Sequence, residues 1–311
     1  MAMIDQQFAI DVRAGLCRDG QKQLPPDYFY DDLGTALFEA ITLLPEYGLA
    51  RADVRLIRRH APRIAGMFPR LDRMVELGSG GGGKTRLLLA AWREPPLYLP
   101  IDVSQAALDR CRGELEGFRV QGVRAPYLEG LQTAVSVRTG PDPLLLLFLG
   151  GTIGNFNREQ IGPFLARVRA CLRPGDAFLL GTDLVKDAER TLLAYDDPTG
   201  VTAAFNRNVL GRINRELDGA FDLRRFQHAV LWNASHRRVE MHLRSLCPQT
   251  VPIAAIGANV RFEAGETIWT ESSHKFEPGE IGEFGRGAGF AAATRWTDYE
   301  WPFTETLFVA E

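Results

Sequence analysis

The stretch Met74-Val75-Glu76-Leu77, then six residues of which only Ser79 carries a side chain, then Lys84-Thr85-Arg86-Leu87-Leu88-Leu89, constrains this chain more than any other. The first four residues read as a short buried strand, and the last six open a helix. A glycine turn between the two brings backbone N–H groups and the positive end of a helix dipole to one place. Open sheets with helices packed on them bind ligands at such turns. A flexible turn with no ligand is the plain alternative.

The residues after the loop repeat the alternation of strand and helix. Residues 97–102 read as a second strand, ending on Asp102 nineteen residues past Gly83, and Ser104 caps a helix to about Leu115. A weak third strand falls at 125–128. Residues 143–149 are apolar throughout, as a central parallel strand is. Asn157 with Gln160 makes a capping box for a helix that stops at Arg173-Pro174-Gly175, and residues 177–182 form strand five. This spacing predicts a parallel α/β sheet.

After Asp183 the pattern changes. Helical spacing over 187–195 and 202–217 gives way to alternation over 226–232, 238–246 and 266–276, which reads as antiparallel strands. Residues 290–296 and 304–309 can close as a terminal hairpin. Some sixty residues precede the first strand, with a rigid entry at Leu24-Pro25-Pro26, helical spacing over 35–41 and a helix over 51–64. Two domains are expected: 51–185 plus 276–311 around the glycine loop, and an α+β domain of 1–50 plus 186–275.

Read alone, the loop fits three patterns. Gly78, Gly80 and Gly83 match the dinucleotide fingerprint, and Gly78 through Thr85 match the phosphate loop. Glu76, Gly78, Gly80 and Gly82 match the acidic, glycine-spaced first motif of class I S-adenosylmethionine (SAM) methyltransferases. A phosphate-loop enzyme needs a second acid at a strand end to hold magnesium, yet the apolar fourth strand ends in Gly150-Gly151-Thr152. A dehydrogenase also uses an acid like Asp102 on a ribose, but no hydride-transfer partner is evident. The methyltransferase pattern accounts for Glu76, the loop and Asp102 together, and it predicts the terminal hairpin.

Composition narrows the partners. Formal net charge is −3, so nothing invites nucleic acid or an anionic membrane surface. Cys17, Cys111, Cys171 and Cys247 lie far apart with no C-x-x-C pair, as reduced thiols of a cytoplasmic protein do. The N-terminus shows no basic-then-apolar signal, and no apolar run approaches about 18 residues. The expectation is a cytoplasmic monomer that acts on a small molecule, without nucleic acid, membrane or metal.

Longer motifs carry a resemblance. They are Tyr30-Asp31-Asp32-Leu33-Gly34-x-x-Leu37-Phe38-Glu39-x-Ile41-Thr42-x-Leu44-Pro45-Glu46-Tyr47, Phe148 to Asn155, and Gly181 to Asp187, followed by Ala194 to Asp197 with Phe205 to Asn208, and Thr270-Glu271-x-Ser273-x-Lys275-Phe276. Together they cover nearly the whole chain, which resembles the histidine Nα-methyltransferases of ergothioneine biosynthesis. The resemblance implies a class I SAM-methyltransferase Rossmann-like sheet joined to a second α+β substrate-binding domain. It implies that Tyr30, Gly78, Lys84 and Asp102 surround SAM. It implies that Tyr47, Asn155, Tyr195, Met241, Glu271 and Ser273 surround histidine, with Phe38, Gly150 and Thr152 nearby. The family usually has Gly-Asp-Phe after strand three, with the acid on the adenine amine. The aligned residues here are Glu129-Gly130-Leu131, so the acid is Glu129 from a shifted position or is absent.

The same residues make chemical sense. Glu271 and Ser273 are two apart on a strand and point to one face. A carboxylate and a hydroxyl satisfy the two nitrogens of an imidazole; two solvated residues are the plain alternative. Asn155 just past a buried strand can hold a carboxylate, with the Tyr195 hydroxyl beside it, or serve only as a turn residue. Tyr47, the catalytic candidate, can relay the proton that the α-amine must lose, or only pack; Met241 can be only core. His228, His236 and His242 read as strand or turn residues. A pocket retuned for another amino acid, or a SAM binder without catalysis, would keep most of these features.

Overall fold

The computed structural model describes residues 6–311; Met1 to Asp5, where the reading of no export signal begins, lie outside the described residues. The chain opens with α1 (Gln6–Leu16), the two-residue strand β1 (Lys22–Gln23) and α2 (Asp32–Leu43). Helix α2 starts before the expected 35–41 because the Asp31 carboxylate accepts the Gly34 N–H at 2.7 Å and so caps it.

Next come α3 (Gly48–Met67), β2 (Arg73–Leu77), α4 (Gly83–Leu89), β3 (Leu97–Asp102), α5 (Gln105–Glu114) and β4 (Val123–Arg124). They are followed by α6 (Tyr127–Ser136), β5 (Leu144–Phe148), α7 (Arg158–Cys171) and β6 (Ala177–Asp183). Ser104 Oγ accepts the Ala107 N–H at 3.2 Å and starts α5 as expected. The third strand needs correction: it ends at Arg124, and residues 125–128 run into α6 instead. Pro126 explains the change, since it has no N–H for a strand ladder and its fixed φ suits a helix start.

Then follow α8 (Ala188–Leu193), α9 (Val201–Leu217), β7 (Phe226–Asn233), β8 (Arg238–Ser245), β9 (Gln249–Ile253), β10 (Ala258–Phe262) and β11 (Thr267–His274). The β9–β10 hairpin was not expected; Pro252 sits inside it and masks the strand pattern. Helix α10 (Glu280–Gly287), β12 (Phe290–Asp298) and β13 (Phe303–Ala310) end the chain.

These elements gather into two compact units. One holds Gly48–Lys186 with His274–Glu311; the other holds the described residues up to Tyr47 with Asp187–Ser273. The first unit is built on a seven-stranded sheet in the order β12-β13-β6-β5-β2-β3-β4. Strands β2 to β6 run parallel, and β13 joins β6 antiparallel with β12 outside it. This is the Rossmann-like sheet of class I methyltransferases, with the expected hairpin at one edge. Strand order reverses between β2 and β5, so the loops after those two strands face one crevice. Val75, Leu77, Leu99, Ile101, Leu146, Phe148, Phe178 and Leu180 fill the core against Leu131, Phe164, Leu165 and Phe308. Each such side chain contributes roughly 2 kcal/mol by leaving water.

The second unit holds the sheet β1-β11-β8-β7 and the β9–β10 hairpin. Strand β1 lies parallel to β11, with Lys22 opposite Ile268, while β7 and β8 are antiparallel. Helix α9 buries Phe205, Val209, Leu210, Ile213 and Leu217 and packs on α2 and β7.

Candidate functional site

In the sheet unit the glycine loop is pinned from both sides. Gly78 has φ +68° and Gly82 φ +77°, in the left-handed region that favours glycine. A Cβ on Gly82 would stand 2.7 Å from Cys111 Sγ, and one on Gly78 would stand 3.2 Å from the Tyr127 hydroxyl. Neither position has room for a larger residue without movement.

Glu76, the acid of the motif, is buried, and its Oε2 accepts the hydroxyls of both Thr85 and Tyr98. Burial pushes its carboxyl up to about 7 even though those two bonds favour the anion. Glu76 therefore clasps β2 to the first turn of α4 and does not present itself to a ligand. The same clasp bears on the phosphate-loop pattern, because Thr85 spends on Glu76 the hydroxyl that would otherwise hold magnesium.

Asp102 ends β3 half-buried. Its Oδ1 accepts the Ser104 N–H at 2.9 Å and its Oδ2 accepts the Gly80 N–H at 3.3 Å. Burial raises its pKa, and the backbone N–H groups pull the other way. The carboxylate is thus fixed in direction beside the glycine loop, as a ribose diol requires of its acceptor.

Lys84 pairs with Asp53 at 2.5 Å, and the same Asp53 oxygen accepts the Gly150 N–H at 3.0 Å. Burial works against the ammonium, but Asp53 outweighs it and holds the Lys84 pKa above its ordinary value. One buried acid on α3 therefore ties the loop after β2 to the loop after β5. A Cβ on Gly150 would lie 3.2 Å from Lys84 Nζ. Thr152 Oγ1 donates to the Leu149 carbonyl at 3.2 Å, and Asn155 follows, half-buried, at the end of a short 3-10 turn.

Glu129 falls on the first turn of α6, exposed. The residues directly after β4 are Ala125-Pro126-Tyr127, none of them an acid. Tyr127 lies against Gly78 and meets Phe148 at 5.3 Å between ring centroids. The sequence reading missed it because the third strand was placed two residues late.

The second unit carries an aromatic series. Tyr30 meets Phe38 at 5.7 Å, Phe38 meets Tyr47 at 6.4 Å, and Tyr47 meets Tyr195 at 6.2 Å, all edge to face. The Tyr195 hydroxyl then donates to Ser273 Oγ at 2.8 Å. Five sequence-expected residues, scattered from position 30 to 273, therefore stand in one line. Glu271 sits two residues before Ser273 on β11, half-buried, and its carbonyl accepts the Trp269 indole N–H at 2.9 Å. Met241 is buried on β8, where its carbonyl accepts the Thr270 hydroxyl at 3.0 Å.

A buried polar network supports this line, and the sequence reading had taken its histidine for a plain strand residue. His228 Nε2 lies 2.8 Å from the Tyr195 carbonyl, and its Nδ1 lies 2.8 Å from Asn206 Nδ2. The geometry assigns the proton to Nε2, with Nδ1 accepting from the amide. Burial lowers the His228 pKa, as suits a ring held neutral. Asn206 Oδ1 in turn lies 2.8 Å from the Thr270 hydroxyl, whose one proton it shares with the Met241 carbonyl. Asp197, which accepts the Thr199 hydroxyl and the Val201 and Thr202 N–H groups, caps α9 just beyond Tyr195.

Comparison with known proteins places these residues in a family. Residues 8–310 match the model of a family described as histidine-specific methyltransferase, SAM-dependent. A histidine N-alpha-methyltransferase of Mycobacterium tuberculosis is 43% identical over 295 residues, which cover 93% of this chain and 90% of that protein. Its counterpart in Mycolicibacterium smegmatis is 42% identical over 307 residues, 96% of this chain and 94% of that one. Ergothioneine biosynthesis protein 1 of Neurospora crassa is 32% identical over 203 residues, 63% of this chain and 23% of its own length.

Proposed function

We propose a function from one premise: this chain belongs to the family of histidine-specific, S-adenosylmethionine-dependent methyltransferases. It is an N-methyltransferase that uses SAM to methylate the α-amino group of L-histidine, a step of ergothioneine biosynthesis. The observation that carries the cofactor side is Asp102, whose carboxylate is fixed by the Gly80 and Ser104 amides beside the glycine loop.

SAM fits the residues present. Asp102 suits the ribose diol, Lys84 the cofactor's carboxylate, and Gly78 leaves a backbone approach that a Cβ would fill. Tyr30 completes this set, with Glu129 as the acid on the adenine side and Tyr127 lying against Gly78. When bound, SAM supplies a methyl group on a sulfonium, which a neutral amine can take in line.

The chain's own residues aim and deprotonate the amine. In the sheet unit Asn155, with Gly150 and Thr152 in its turn, is assigned to the substrate carboxylate; in the other unit the Tyr195 hydroxyl is assigned to it as well. Glu271 and Ser273 take the two imidazole nitrogens, and Met241 and Phe38 close the pocket. Tyr47, buried among aromatic rings, excludes water and relays the proton that the amine gives up before each transfer. Holding the reactants in line is the main demand on the protein. After three transfers the nitrogen has no lone pair, so the product is the trimethyl betaine. The sheet unit serves as the SAM-binding domain and the other as the substrate domain, in a monomeric cytoplasmic enzyme. No helix among the described residues is long and apolar enough to cross a membrane.

Incubation of the protein with SAM and each of the twenty amino acids, read by mass spectrometry, tests this. Three added methyl groups on histidine alone are expected. Methylation of another amino acid in its place would replace the substrate assignment, and methylation of none would leave a SAM binder without catalysis.

A further inference from the structure

Asp53 and Glu305 are acids that the mechanism above does not use, and both are buried in the sheet unit. Asp53 Oδ2 is occupied by Lys84 Nζ and the Gly150 N–H. Asp53 Oδ1 and both oxygens of Glu305 are buried and meet no N–H or O–H donor among the described residues. Glu305 stands on β13 opposite Gly181, where its Oε1 would lie 2.8 Å from a Cβ on that glycine. The Gly150 amide, which donates to Asp53 Oδ2, lies 3.3 Å from the same point, so both acids border the space over Gly181. Two ionised carboxylates packed together would repel each other and leave three acceptors unsatisfied. One proton between them supplies the missing donor.

We propose that Glu305 is a positioning residue, held as a neutral carboxylic acid whose O–H donates to Asp53 Oδ1. Asp53 is thereby kept in the one orientation that serves both Lys84 and the Gly150 amide, and the two loops of the crevice are locked together. The charges around the pair agree with this. Asp53 on α3, Glu76 on β2, Lys84 on α4 and Glu305 on β13 act on one another, with only one cation among them. With all three acids ionised, two negative charges would lack a counter-ion in the core. Burial drives the Glu305 carboxyl well above the usual carboxylate range; Asp53 adds to the push, and Lys84 offsets only part of it.

The functional consequence rests on the placing of Lys84 at the SAM carboxylate. In Glu305→Gln an amide N–H replaces the carboxyl O–H as donor to Asp53. SAM affinity by calorimetry is therefore expected to stay within about twofold, whereas Glu305→Leu leaves a buried acceptor bare and weakens SAM binding by about tenfold or more. Far-ultraviolet circular dichroism is expected to stay parental in both variants, which separates positioning from general loss of structure. Infrared difference spectra of the parent against Glu305→Gln at pH 8 are expected to show the carbonyl stretch of a protonated acid in the parent alone. The absence of that band, or equal loss of SAM affinity in the Gln and Leu variants, would overturn the proposal. Lys84→Ala with parental SAM affinity would instead remove Lys84 from the SAM site, and the infrared band would still decide the protonation of Glu305.

Discussion

Glu271 and Ser273 occupy the same face of β11, and the Tyr195 hydroxyl reaches the second of them across the unit. If this pair reads the imidazole, discrimination comes mostly from the carboxylate, because a wrong side chain leaves it desolvated without a donor. A site built to hydrogen-bond a substrate N–H rejects analogues lacking it by roughly 10⁴-fold. Glu271→Ala is therefore expected to lower kcat/KM for histidine while the ratio of histidine to phenylalanine turnover collapses. Ser273→Ala acts in the same direction but less, since an unpaired hydroxyl costs less to bury than a charge. Unchanged histidine turnover and unchanged discrimination in Glu271→Ala would show that the residue is a solvated strand position and nothing more.

Among the elements, the β2–α4 junction makes the sharpest claim. Glu76 has its pKa raised from 4.5 to about 7 in the folded protein. A raised acid contributes stability that is fully present below its unfolded pKa and is lost as pH climbs through the folded one. Over roughly pH 4.5 to 7 the parent should therefore lose up to about 3 kcal/mol through this group. Glu76→Gln keeps an oxygen for Thr85 and Tyr98 but cannot ionise. Its melting temperature relative to the parent is expected to rise from pH 5 to pH 8; a constant difference would mean that Glu76 does not titrate in this range. Much of the element order was legible in advance, because apolar strands such as 143–149 and caps such as Ser104 are local signals. The β9–β10 hairpin was not, since a strand that contains Pro252 loses its alternation. Glu305 and Asp53 were illegible for a different reason. Each looks like an ordinary acid in sequence, and only the packing of α3 on β13, more than two hundred residues later, makes them neighbours. His228 is the strand residue expected, on β7, but its bonds to Tyr195 and Asn206 were illegible likewise, since both come from other elements.

At the level of the whole molecule, ligand choice separates the readings that the glycine loop left open. SAM at a hundredfold excess over its Kd should stabilise the fold by about 2.7 kcal/mol, enough to raise the melting temperature by several degrees. Mg-ATP is expected to do nothing, because Thr85 is committed to Glu76 and has no hydroxyl to offer magnesium. A shift with Mg-ATP alone would return the loop to the phosphate binders. The placing of β13 bears on how the protein is made. It is the last strand in the chain, yet it lies between β6 and β12, and β1 of the other unit likewise waits for β11. Until β13 has been made, the sheet unit carries a bare edge along β6, and the other sheet lacks its link to β1 until β11 has been made. Such an edge templates wrong pairing between neighbouring chains. A chain cut before Phe303 is therefore expected to be more prone to aggregate than the intact one, because its β6 edge stays unpaired.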